Sequence, residues 1–420
     1  MGDRQPALED VVERLACRFC GARLEQVFAD LGAQPLANSN LREEDLAKPE
    51  PFYPLTVYVC GECFLVQLPE SASPEEIFSD YVYFSSTSES WLRHAEAYVE
   101  SITERLGLGE SSQVVELASN DGYLLQYFLE RAIPVLGVEP AANVAATAIE
   151  RGIPTKVAFF GTETAQALRD EGVAADLVLG NNVLAHVPGL NDFVEGVRML
   201  LKPEGTATFE FPHLLTLIEH TEFDTIYHEH FSYFSLLAVQ KVFAAHGLEV
   251  VDVEELRSHG GSLRLYVRQS GVEGPGERVE ELLARERSAG LDRLETYGAF
   301  EEQVRATKRD LLEFLIGARR KGRHVAGYGA PAKGNTLLNY CGVRADLLDY
   351  VVDLSPYKQG LYLPGTRLPI YAPDHIARTK PDYVLILPWN LRDEIVEQMA
   401  HVRDWGGRFV TPVPTVKVLE

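Results

Sequence analysis

The sequence predicts an α/β protein with two Rossmann-like sheets, and three observations support this. Val114–Leu117 has the character of a buried strand and is followed by a polar loop ending at Gly122 and by a helix-like stretch. His324–Thr336 repeats the order of strand, glycine-rich turn and helix start, and two Cys-x-x-C pairs precede both units. Because 420 residues are too many for one core, we predict three domains, at 1–75, 76–275 and 276–420.

Composition limits the possible partners. The formal net charge of −23 argues against non-specific nucleic-acid binding and against an anionic membrane surface, and the hydrophobic fraction of 46% is typical of soluble globular proteins. No apolar run is long enough to span a bilayer, and the N-terminus has no signal-peptide core. We therefore expect a cytoplasmic protein without a nucleic-acid or membrane partner. Nothing in the sequence demands a partner chain, so we expect a monomer or weak oligomer.

Four of the five cysteines form two knuckles, Cys17-Arg18-Phe19-Cys20 and Cys60-Gly61-Glu62-Cys63. A Cys-x-x-C turn presents both thiolates to one metal, so the two knuckles predict a tetrahedral zinc site with ligands Cys17, Cys20, Cys60 and Cys63. Two disulfides or a redox dithiol are the alternatives, which a cytosolic chain without a thioredoxin-like motif disfavours. Four cysteine ligands leave no position for a catalytic water, so the predicted zinc is structural. Phe52–Val59 alternates as a strand would.

The loop after Val114–Leu117 predicts a nucleoside site. A second strand, Val135–Val138, ends on the acidic Glu139, which can hold ribose hydroxyls. The loop is not G-x-G-x-x-G and bears Asn and Asp but no basic residue, which suits the cationic S-adenosylmethionine better than a pyrophosphate. An ordinary βαβ unit with a polar loop is the alternative. The candidate methyl-donor residues here are Glu116, Ala118, Asn120, Gly122 and Glu139.

Later strands add residues to the same predicted site. Asp176–Gly180 is a strand that ends on Asn181 and Asn182, with His186 close behind, and carboxyl ends of neighbouring strands share one edge of the sheet. Asn181 and Asn182 are equally able to cap the next helix. Phe160 is a candidate adenine wall. The next strands are predicted at Thr206–Phe211, Leu248–Val253 and Leu263–Arg268, the last two forming an antiparallel edge.

Tyr227-His228-Glu229-His230 carries several proton-exchanging groups in succession, and no helix or strand period explains the run. Histidine near its ordinary pKa can take a proton, a carboxylate can orient it, and tyrosine can hold an oxyanion, so the run predicts acid–base chemistry. A second zinc site at His-x-His lacks an obvious third and fourth ligand. A polar loop that only caps a helix is the structural alternative.

The last third predicts a second Rossmann-like unit. Gly276–Arg320 has a helical period, and strands are predicted near Leu348–Val352, Tyr383–Leu387 and Arg408–Thr411. The glycine-rich turn offers backbone N–H groups, a helix N-terminus and Lys333, which suit phosphate, although a purely structural unit is also possible. The candidate substrate-binding residues are Tyr83, Gly329, Ala330, Lys333, Asn335 and Lys358.

Together these features resemble the zinc-containing sugar C-methyltransferases that act on nucleotide-linked 4-keto-6-deoxysugars in antibiotic and surface-polysaccharide pathways. The resemblance covers nearly the whole chain: the four-cysteine module, a class I methyltransferase sheet, the Tyr-x-Glu-His segment and the C-terminal Rossmann-like domain. It implies methylation at C-3 of a thymidine-diphosphate-linked sugar, with structural zinc and the sugar nucleotide against the C-terminal domain. Family functional residues correspond to Tyr81, His186, Tyr227, Glu229 and His230, with His230 as the base.

The activity that we expect is therefore S-adenosylmethionine-dependent C-methylation through an enolate. An O- or N-methyltransferase of a sugar nucleotide or another small molecule, and a non-catalytic zinc- and nucleotide-binding scaffold, are the alternatives. The loop residues Ala118-Ser119 and the titratable His228 inside the Tyr-x-Glu-His run differ locally from the family and leave the particular sugar open.

Overall fold

The computed structural model describes residues 15–72 and 84–419. The strands of this part are β1 Gln26–Gln34, β2 Tyr53–Val59, β3 Val66–Gln67, β4 Val114–Leu117, β5 Val135–Glu139, β6 Thr155–Val157, β7 Ala175–Asn181, β8 Leu201–Pro212, β9 Ser232–Tyr233, β10 Leu248–Leu256, β11 Ser262–Gln269, β12 Val325–Tyr328, β13 Val351–Val352, β14 Ile370–Tyr371, β15 Tyr383–Ile386, β16 Arg408–Thr411 and β17 Lys417–Val418.

The α-helices of the same part are α1 Glu89–Leu106, α2 Leu125–Leu129, α3 Ala142–Glu150, α4 Thr162–Asp170, α5 Leu190–Leu200, α6 Leu214–Glu219, α7 Leu236–Ala245, α8 Glu277–Ser288, α9 Leu294–Gly298, α10 Phe300–Arg320, α11 Ala332–Cys341, α12 Asp374–Thr379 and α13 Arg392–Gln398. Short 3₁₀ turns lie at Ser85–Thr87, Leu184–His186, Phe223–Thr225 and Trp389–Leu391, among others. No helix among the described residues is both long and apolar enough to cross a membrane.

The chain forms two compact units, each assembled from separate stretches. In the described part, unit 1 comprises 15–25, 60–72, 84–213 and 231–292, and unit 2 comprises 26–59, 214–230 and 293–419. The four knuckle cysteines belong to unit 1, whereas the segment between the knuckles, from Gln26 to Val59, belongs to unit 2. The predicted domain boundaries, drawn as three consecutive blocks, remain a prediction.

Unit 1 contains a seven-stranded sheet in the order β10-β11-β8-β7-β4-β5-β6. Strands β4 to β8 run parallel, and the β10–β11 hairpin closes the β8 edge in antiparallel register. The chain reverses its direction of strand addition between β4 and β7, and ligands of open α/β sheets bind at the carboxyl ends of the strands at such a point. An apolar core that includes Val99, Phe128 and Leu177 packs under this sheet.

Unit 2 contains a six-stranded sheet in the order β14-β13-β12-β15-β16-β17. All of its strands are parallel except β17, and the core includes Val352, Ile386 and Phe409. The antiparallel β1–β2 hairpin packs onto the helices of this unit, where the rings of Phe28 and Phe300 stack with centroids 4.4 Å apart.

The predicted α/β fold class, with a four-cysteine N-terminal region and two Rossmann-like sheets, is confirmed. The short edge strand β6 was not predicted; it lies in the sequence between β5 and β7, which were predicted as consecutive strands. Strand β1 was not predicted either. The predicted helical region 276–320 is interrupted twice, giving α8, α9 and α10. Predicted strand Leu348–Val352 shortens to Val351–Val352, because Leu348 belongs to the preceding turn.

Candidate functional site

The four knuckle cysteines converge in unit 1. Their sulfur atoms all lie within 4.8 Å of one another, with Cys17 Sγ 3.6 Å from Cys63 Sγ and Cys20 Sγ 3.5 Å from Cys60 Sγ. All four thiols are free of disulfides. Four sulfur atoms at this spacing fit the thiolate ligands of a structural zinc ion. The sulfur–sulfur distances of 3.5 and 3.6 Å are longer than a disulfide bond, so the geometry does not favour two disulfides.

Hydrogen bonds from Gln67 and Asn191 hold the first cysteine knuckle in place. Gln67 donates from Nε2 to Cys17 Sγ at 3.1 Å, and it accepts the Arg18 backbone N–H at 2.9 Å. Asn191 of α5 donates to the Phe19 carbonyl at 2.9 Å. Groups that orient metal ligands in this way keep the thiolates in place. The first knuckle is thereby fastened to a helix of the seven-stranded sheet.

The loop after β4 is a tightly constrained turn. Ala118, Asn120 and Gly122 all have positive φ, at 52°, 50° and 78°. A Cβ on Gly122 would meet Ile153 Cδ1 at 2.1 Å, so the position needs glycine. Asn120 accepts the Ser85 N–H at 2.9 Å through Oδ1, which ties the loop to the start of α1. Backbone in this conformation can approach a ligand closely.

Two buried carboxyl groups flank this loop. Glu139 accepts the Asn120 N–H at 2.9 Å and the Ala141 N–H at 2.8 Å, one on each oxygen. Burial raises the pKa of Glu139, while these two N–H groups oppose the shift. Burial, followed by the charges of Glu139 and Asp121, raises the pKa of Glu116 well above its ordinary value. The acidic side chains suit the ribose hydroxyls and cationic groups of a nucleoside ligand.

Asn181 ends β7 next to this loop in the sheet. Its side chain is 9% exposed, and neither amide atom has a hydrogen-bond partner among the described residues. Buried amides are normally paired, so an unpaired one at the carboxyl end of a central strand fits a bound ligand. Asn182 has φ 56° and donates its N–H to the Glu210 carbonyl at 2.8 Å. The Asn181 side chain therefore does not cap a helix, which was the alternative interpretation.

Two further predicted residues belong to unit 1. His186 ends the 3₁₀ turn Leu184–His186, just beyond β7, and is half-buried. Phe160 precedes α4 and packs edge-on against Phe193, with centroids 5.4 Å apart, while the adjacent Phe159 is 47% exposed. The half-buried Phe160 is therefore an element of packing as well as a candidate adenine wall.

The segment Tyr227–His230 lies in unit 2, and its two histidines have different roles. His230 Nδ1 lies 2.8 Å from the Thr225 carbonyl, and since a carbonyl only accepts, Nδ1 carries the proton and Nε2 carries the lone pair. His228 is 2% exposed, and its Nε2 donates to the Pro54 carbonyl at 3.2 Å. Burial lowers the pKa of His228. The Tyr227 and His230 rings lie 4.1 Å apart. Of the two histidines, His230 is therefore the candidate base.

Glu229 is a buried carboxyl group with two named partners. Asn38 donates from Nδ2 to Glu229 Oε1 at 2.5 Å. Burial raises the pKa of Glu229 to about 7, although the Asn38 hydrogen bond and the charge of Lys358 both lower it. A carboxyl group with such a pKa changes protonation near neutral pH, as an acid–base group requires.

An acidic pair, Glu222 and Asp224, precedes the segment Tyr227–His230. Asp224 accepts the Trp389 Nε1–H at 2.7 Å. Burial raises the pKa of Asp224 to about 6; burial, and secondarily the charge of Asp224, raise the pKa of Glu222 to about 8. Lys333 faces both acids, and burial lowers its pKa against their charges. Its ammonium also donates to Asn390 Oδ1 at 2.9 Å, and a phosphate at Lys333 would compete with these partners.

The glycine-rich turn of unit 2 is held by an acid and a lysine. Asp353 accepts the Ala330 N–H at 2.7 Å, and Lys358 donates to the Ala330 carbonyl at 2.7 Å. Gly329 has φ 87°, and a Cβ there would meet Pro388 at 2.5 Å. Asn335, in the first turn of α11, is fully buried, and neither of its amide atoms has a partner among residues 15–72 and 84–419.

The structure thus groups the predicted residues by unit. Unit 1 brings together the zinc cysteines in one place and the methyl-donor candidates with His186 in the central sheet. Unit 2 brings Tyr227, Glu229 and His230 together, and it also holds Gly329, Ala330, Lys333, Asn335 and Lys358. Tyr81 and Tyr83 lie outside the described residues. Sequence reasoning missed Asn38, Asp224 and Trp389, none of which has a local signal.

Three protein-family profiles match successive parts of the chain. A zinc binding domain matches residues 17–78, a methyltransferase domain matches 91–253, and a C-methyltransferase C-terminal domain matches 257–414. The sheet, the loop after β4 and the cysteine cluster agree with the first two profiles. The protein is therefore a methyltransferase that uses S-adenosylmethionine and a structural zinc ion.

Comparison with individual proteins gives the family. The chain is 37% identical to the C-methyltransferase NovU of Streptomyces niveus over 414 residues, which covers 98% of this chain and 99% of NovU. The chain belongs to the zinc-containing sugar C-methyltransferases, and the resemblance seen in the sequence is confirmed.

More distant matches cover only part of the chain. A ubiquinone biosynthesis O-methyltransferase of Bartonella tribocorum is 27% identical over 97 residues, or 23% of this chain and 39% of that protein. The crystal structure of an S-adenosylmethionine-dependent methyltransferase from Clostridium acetobutylicum aligns with a TM-score of 0.35 and 12% identity, covering 43% of this chain and 92% of that one.

Proposed function

We propose that this C-methyltransferase acts at C-3 of a nucleotide-linked 4-keto-6-deoxysugar, with thymidine diphosphate as the carrier. His230 is the base, and Glu229 is the acid–base group beside it in the chain. The observation that carries this assignment is the hydrogen bond from His230 Nδ1–H to the Thr225 carbonyl. It fixes the tautomer in which Nε2 accepts a proton, which carbon methylation needs and which binding alone does not.

The proposed chemistry begins with a proton transfer to the protein. A ketone at C-4 acidifies the C-3 hydrogen, because the electron pair left on carbon spreads onto the carbonyl oxygen. His230 Nε2 takes that proton, and the negative charge develops on O-4. S-adenosylmethionine, when bound, would supply the methyl group: a C-3–methyl bond would form as the sulfonium–methyl bond breaks, and the neutral thioether S-adenosylhomocysteine would leave.

Hydrogen-bond donors aimed at O-4 would stabilise the enolate most, because preorganised donors gain strength where charge develops. Tyr227 is the candidate donor beside His230, since their rings lie 4.1 Å apart. The family resemblance adds His186 and Tyr81 to this role. The neutral and charged forms of Glu229 interchange near pH 7, so it is suited to pass the proton taken by His230 onward.

Donor binding is assigned to the loop after β4. Glu139 and Asn181 are the best-supported donor-binding residues. Glu139 ends β5, the strand beside β4, and the Asn181 amide is buried without a hydrogen-bond partner among the described residues. Glu116, Ala118, Asn120, Gly122, Phe160 and Asn182 complete this assignment.

Sugar-nucleotide binding is assigned to unit 2 around the turn after β12. Asn335 supports it most strongly, because a buried amide without a described partner suits a ligand hydroxyl that both donates and accepts. Gly329, Ala330, Lys333 and Lys358 complete the proposed set in the described part of the chain, and Tyr83 lies outside that part.

The test is to incubate the zinc-loaded protein in deuterated water with a thymidine-diphosphate-linked 4-keto-6-deoxyhexose and weigh the sugar nucleotide. With the methyl donor we expect a methyl-sized gain in mass. Without the donor we expect uptake of deuterium, because proton removal needs only the base and the ketone. The same sugar with its ketone reduced to an alcohol should show neither change.

Other outcomes separate the alternatives. A methyl gain that persists after the ketone is reduced would identify an O- or N-methyltransferase and would contradict the enolate. Deuterium uptake without methyl gain would support the base but reject this sugar as the acceptor. Binding of both ligands without any change in mass would support a scaffold.

A further inference from the structure

Asn38 contacts the catalytic segment from a distant part of the sequence. It lies in the segment that follows β1, within residues matched by the zinc binding domain profile, and its Nδ2 donates to Glu229 Oε1 at 2.5 Å. The two residues are 191 positions apart and belong to the same unit. Asn38 is half-buried, whereas Glu229 is buried.

The segment that carries Asn38 is fastened to the C-terminal part of unit 2 by several contacts. Leu41 and Tyr362 exchange two backbone hydrogen bonds, of 2.8 and 2.9 Å. Glu50 accepts the Gly365 N–H at 2.6 Å, and Arg367 donates to the Leu46 carbonyl at 2.6 Å. These contacts hold the segment that carries Asn38 in place within unit 2. The hydrogen bond from Asn38 to Glu229 is therefore supported by the surrounding structure.

The Asn38 amide group has a specific consequence for the carboxyl group. Because an amide NH₂ only donates, Glu229 Oε1 acts as the acceptor. This favours Oε2 as the oxygen that binds a proton, because a C=O oxygen accepts more strongly than the hydroxyl oxygen of a protonated carboxyl group. Among residues 15–72 and 84–419, Lys358 also acts on Glu229 through its charge, and the titratable His228 and His230 adjoin Glu229 in the chain.

We propose that Asn38 is a positioning residue of the methyl-transfer reaction, which holds Glu229 by Oε1 and leaves Oε2 as the atom that exchanges a proton. This rests on the proposed function, in which Glu229 is an acid–base group. It also gives the N-terminal region a role beyond zinc: a residue within the zinc-binding profile sets the protonation of the catalytic segment.

The test uses the ligand-free, zinc-loaded full chain. The Glu229 titration is isolated by infrared difference spectroscopy, as the carboxyl signal that Glu229→Gln removes. In Asn38→Ala we expect its midpoint to move up by about one pH unit, because a hydrogen bond that favours the carboxylate is lost. The rising limb of kcat/KM should move by the same amount, so activity lost at pH 7 returns at higher pH.

Two further variants make the result decisive. Asn38→Asp keeps the side-chain size but faces Glu229 with a second carboxylate, so the Glu229 midpoint should rise further than in Asn38→Ala. Asn40→Ala removes a half-buried asparagine two residues away and should leave both the midpoint and the pH profile unchanged. Zinc content and thermal midpoint verify that each variant is folded.

Unchanged Glu229 midpoints and pH profiles in both Asn38 variants would overturn the proposal. The titration needs no substrate, so its outcome is independent of the sugar. A shifted Glu229 midpoint in the Asn38 variants, in a protein that methylates no keto sugar, would support the role of Asn38 in positioning Glu229 and would reject the proposed function. Methyl transfer to the keto sugar, together with an unchanged Glu229 midpoint in the Asn38 variants, would retain the proposed function and reject the role of Asn38.

Discussion

At the level of single residues, His228 and His230 show how hydrogen bonds to backbone carbonyls determine the tautomers of two neighbouring histidines. Each imidazole donates to a carbonyl oxygen, but His230 does so through Nδ1 and His228 through Nε2. The nitrogen with the lone pair is therefore Nε2 in His230 and Nδ1 in His228. Burial also lowers the pKa of His228, which favours its neutral form.

The His230→Ala variant should lose turnover by about 100-fold or more, since general-base catalysis contributes at least that much. Donor affinity, measured by calorimetry with S-adenosylmethionine, should stay within about two-fold, because the donor candidates lie in the other unit. His324→Ala, which removes an exposed imidazole of the same unit, is the control and should retain activity. Equal losses of turnover and donor binding in His230→Ala would contradict this role.

A second residue-scale prediction concerns Glu139. Glu139→Ala removes a carboxylate that holds two loop N–H groups and that we assign to the ribose, so the dissociation constant for S-adenosylmethionine should rise by about ten-fold or more. Glu130→Ala, at an exposed position on the same unit, should bind as the parent does. Unchanged affinity in Glu139→Ala would remove Glu139 from the donor site.

Residue-scale features differed in how far the sequence revealed them. His230 and Glu229 stand in a run of polar groups that no secondary-structure period explains, so they were predictable. Asn38 was not, because its contact with Glu229 depends on how a segment 191 residues away is folded. Asp224 and Trp389 were missed for the same reason, since they meet only after β15 and the segment before Tyr227 are brought together.

At the level of elements, the two cysteine knuckles enclose the segment that contains β1 and β2. Cys20 precedes β1 by a few residues, and Cys60 directly follows β2. The knuckles belong to unit 1 and the hairpin to unit 2, so the chain passes between units at both ends of the hairpin. A zinc ion held by the four thiolates would therefore link the two points in the sequence between which the segment that carries Asn38 lies.

The Cys60→Ser variant should lose bound zinc, measured by elemental analysis, from about one ion per chain to nearly none, and its thermal midpoint should fall, because structural zinc contributes folding free energy. Cys341→Ala is the matched control, a buried cysteine outside the cluster, and should retain zinc. Zinc retained in Cys60→Ser, or lost in Cys341→Ala, would be incompatible with the four-cysteine site.

The acidic segment before Tyr227 makes a pH prediction. Burial raises the pKa of Glu222 to about 8 from an ordinary 4.5, so the folded protein keeps a proton that the unfolded chain releases. The free energy of unfolding contributed by Glu222 is therefore fully present below about pH 4.5 and is lost as the pH rises towards and through about 8. Asp224, Lys333 and His220 are the charged or titratable groups that face it.

Glu222→Gln mimics the neutral carboxyl group and should raise the thermal midpoint at pH 9 by about 3 °C or more, with almost no change at pH 5. Glu219→Gln, an exposed position at the end of α6, should change neither midpoint. Differential scanning calorimetry at the two pH values measures this. Equal stabilisation at both would show that Glu222 is not a buried proton carrier.

Among elements, the strands of both Rossmann-like sheets were the easiest to predict, because Val114–Leu117 and Tyr383–Ile386 are rich in Val, Leu and Ile and each is followed by a loop. The strand β1 was missed: Asp30, Gly32 and Ala33 interrupt its apolar pattern, and register shifts with β2 accommodate them. The short strand β6 is an edge strand without a buried face, so its sequence has no strong period.

At the level of the whole molecule, the separate stretches of each unit could not be read from the sequence. Consecutive blocks are the simplest interpretation of motif order, but the segment from Leu214 to His230 belongs with the C-terminal sheet. The proposed base and the proposed sugar-binding residues are thus carried by one unit, and the methyl-donor candidates by the other.

The most direct test of the central claim is to locate the transferred methyl group. The zinc-loaded protein would be incubated with ¹³C-methyl S-adenosylmethionine and a thymidine-diphosphate-linked 4-keto-6-deoxyhexose, and the product examined by carbon NMR. We predict a ¹³C methyl bonded to C-3, with one-bond carbon–carbon coupling in a ¹³C-enriched sugar. A methyl group on oxygen, on nitrogen or on any carbon other than C-3 would contradict base-assisted methylation at C-3.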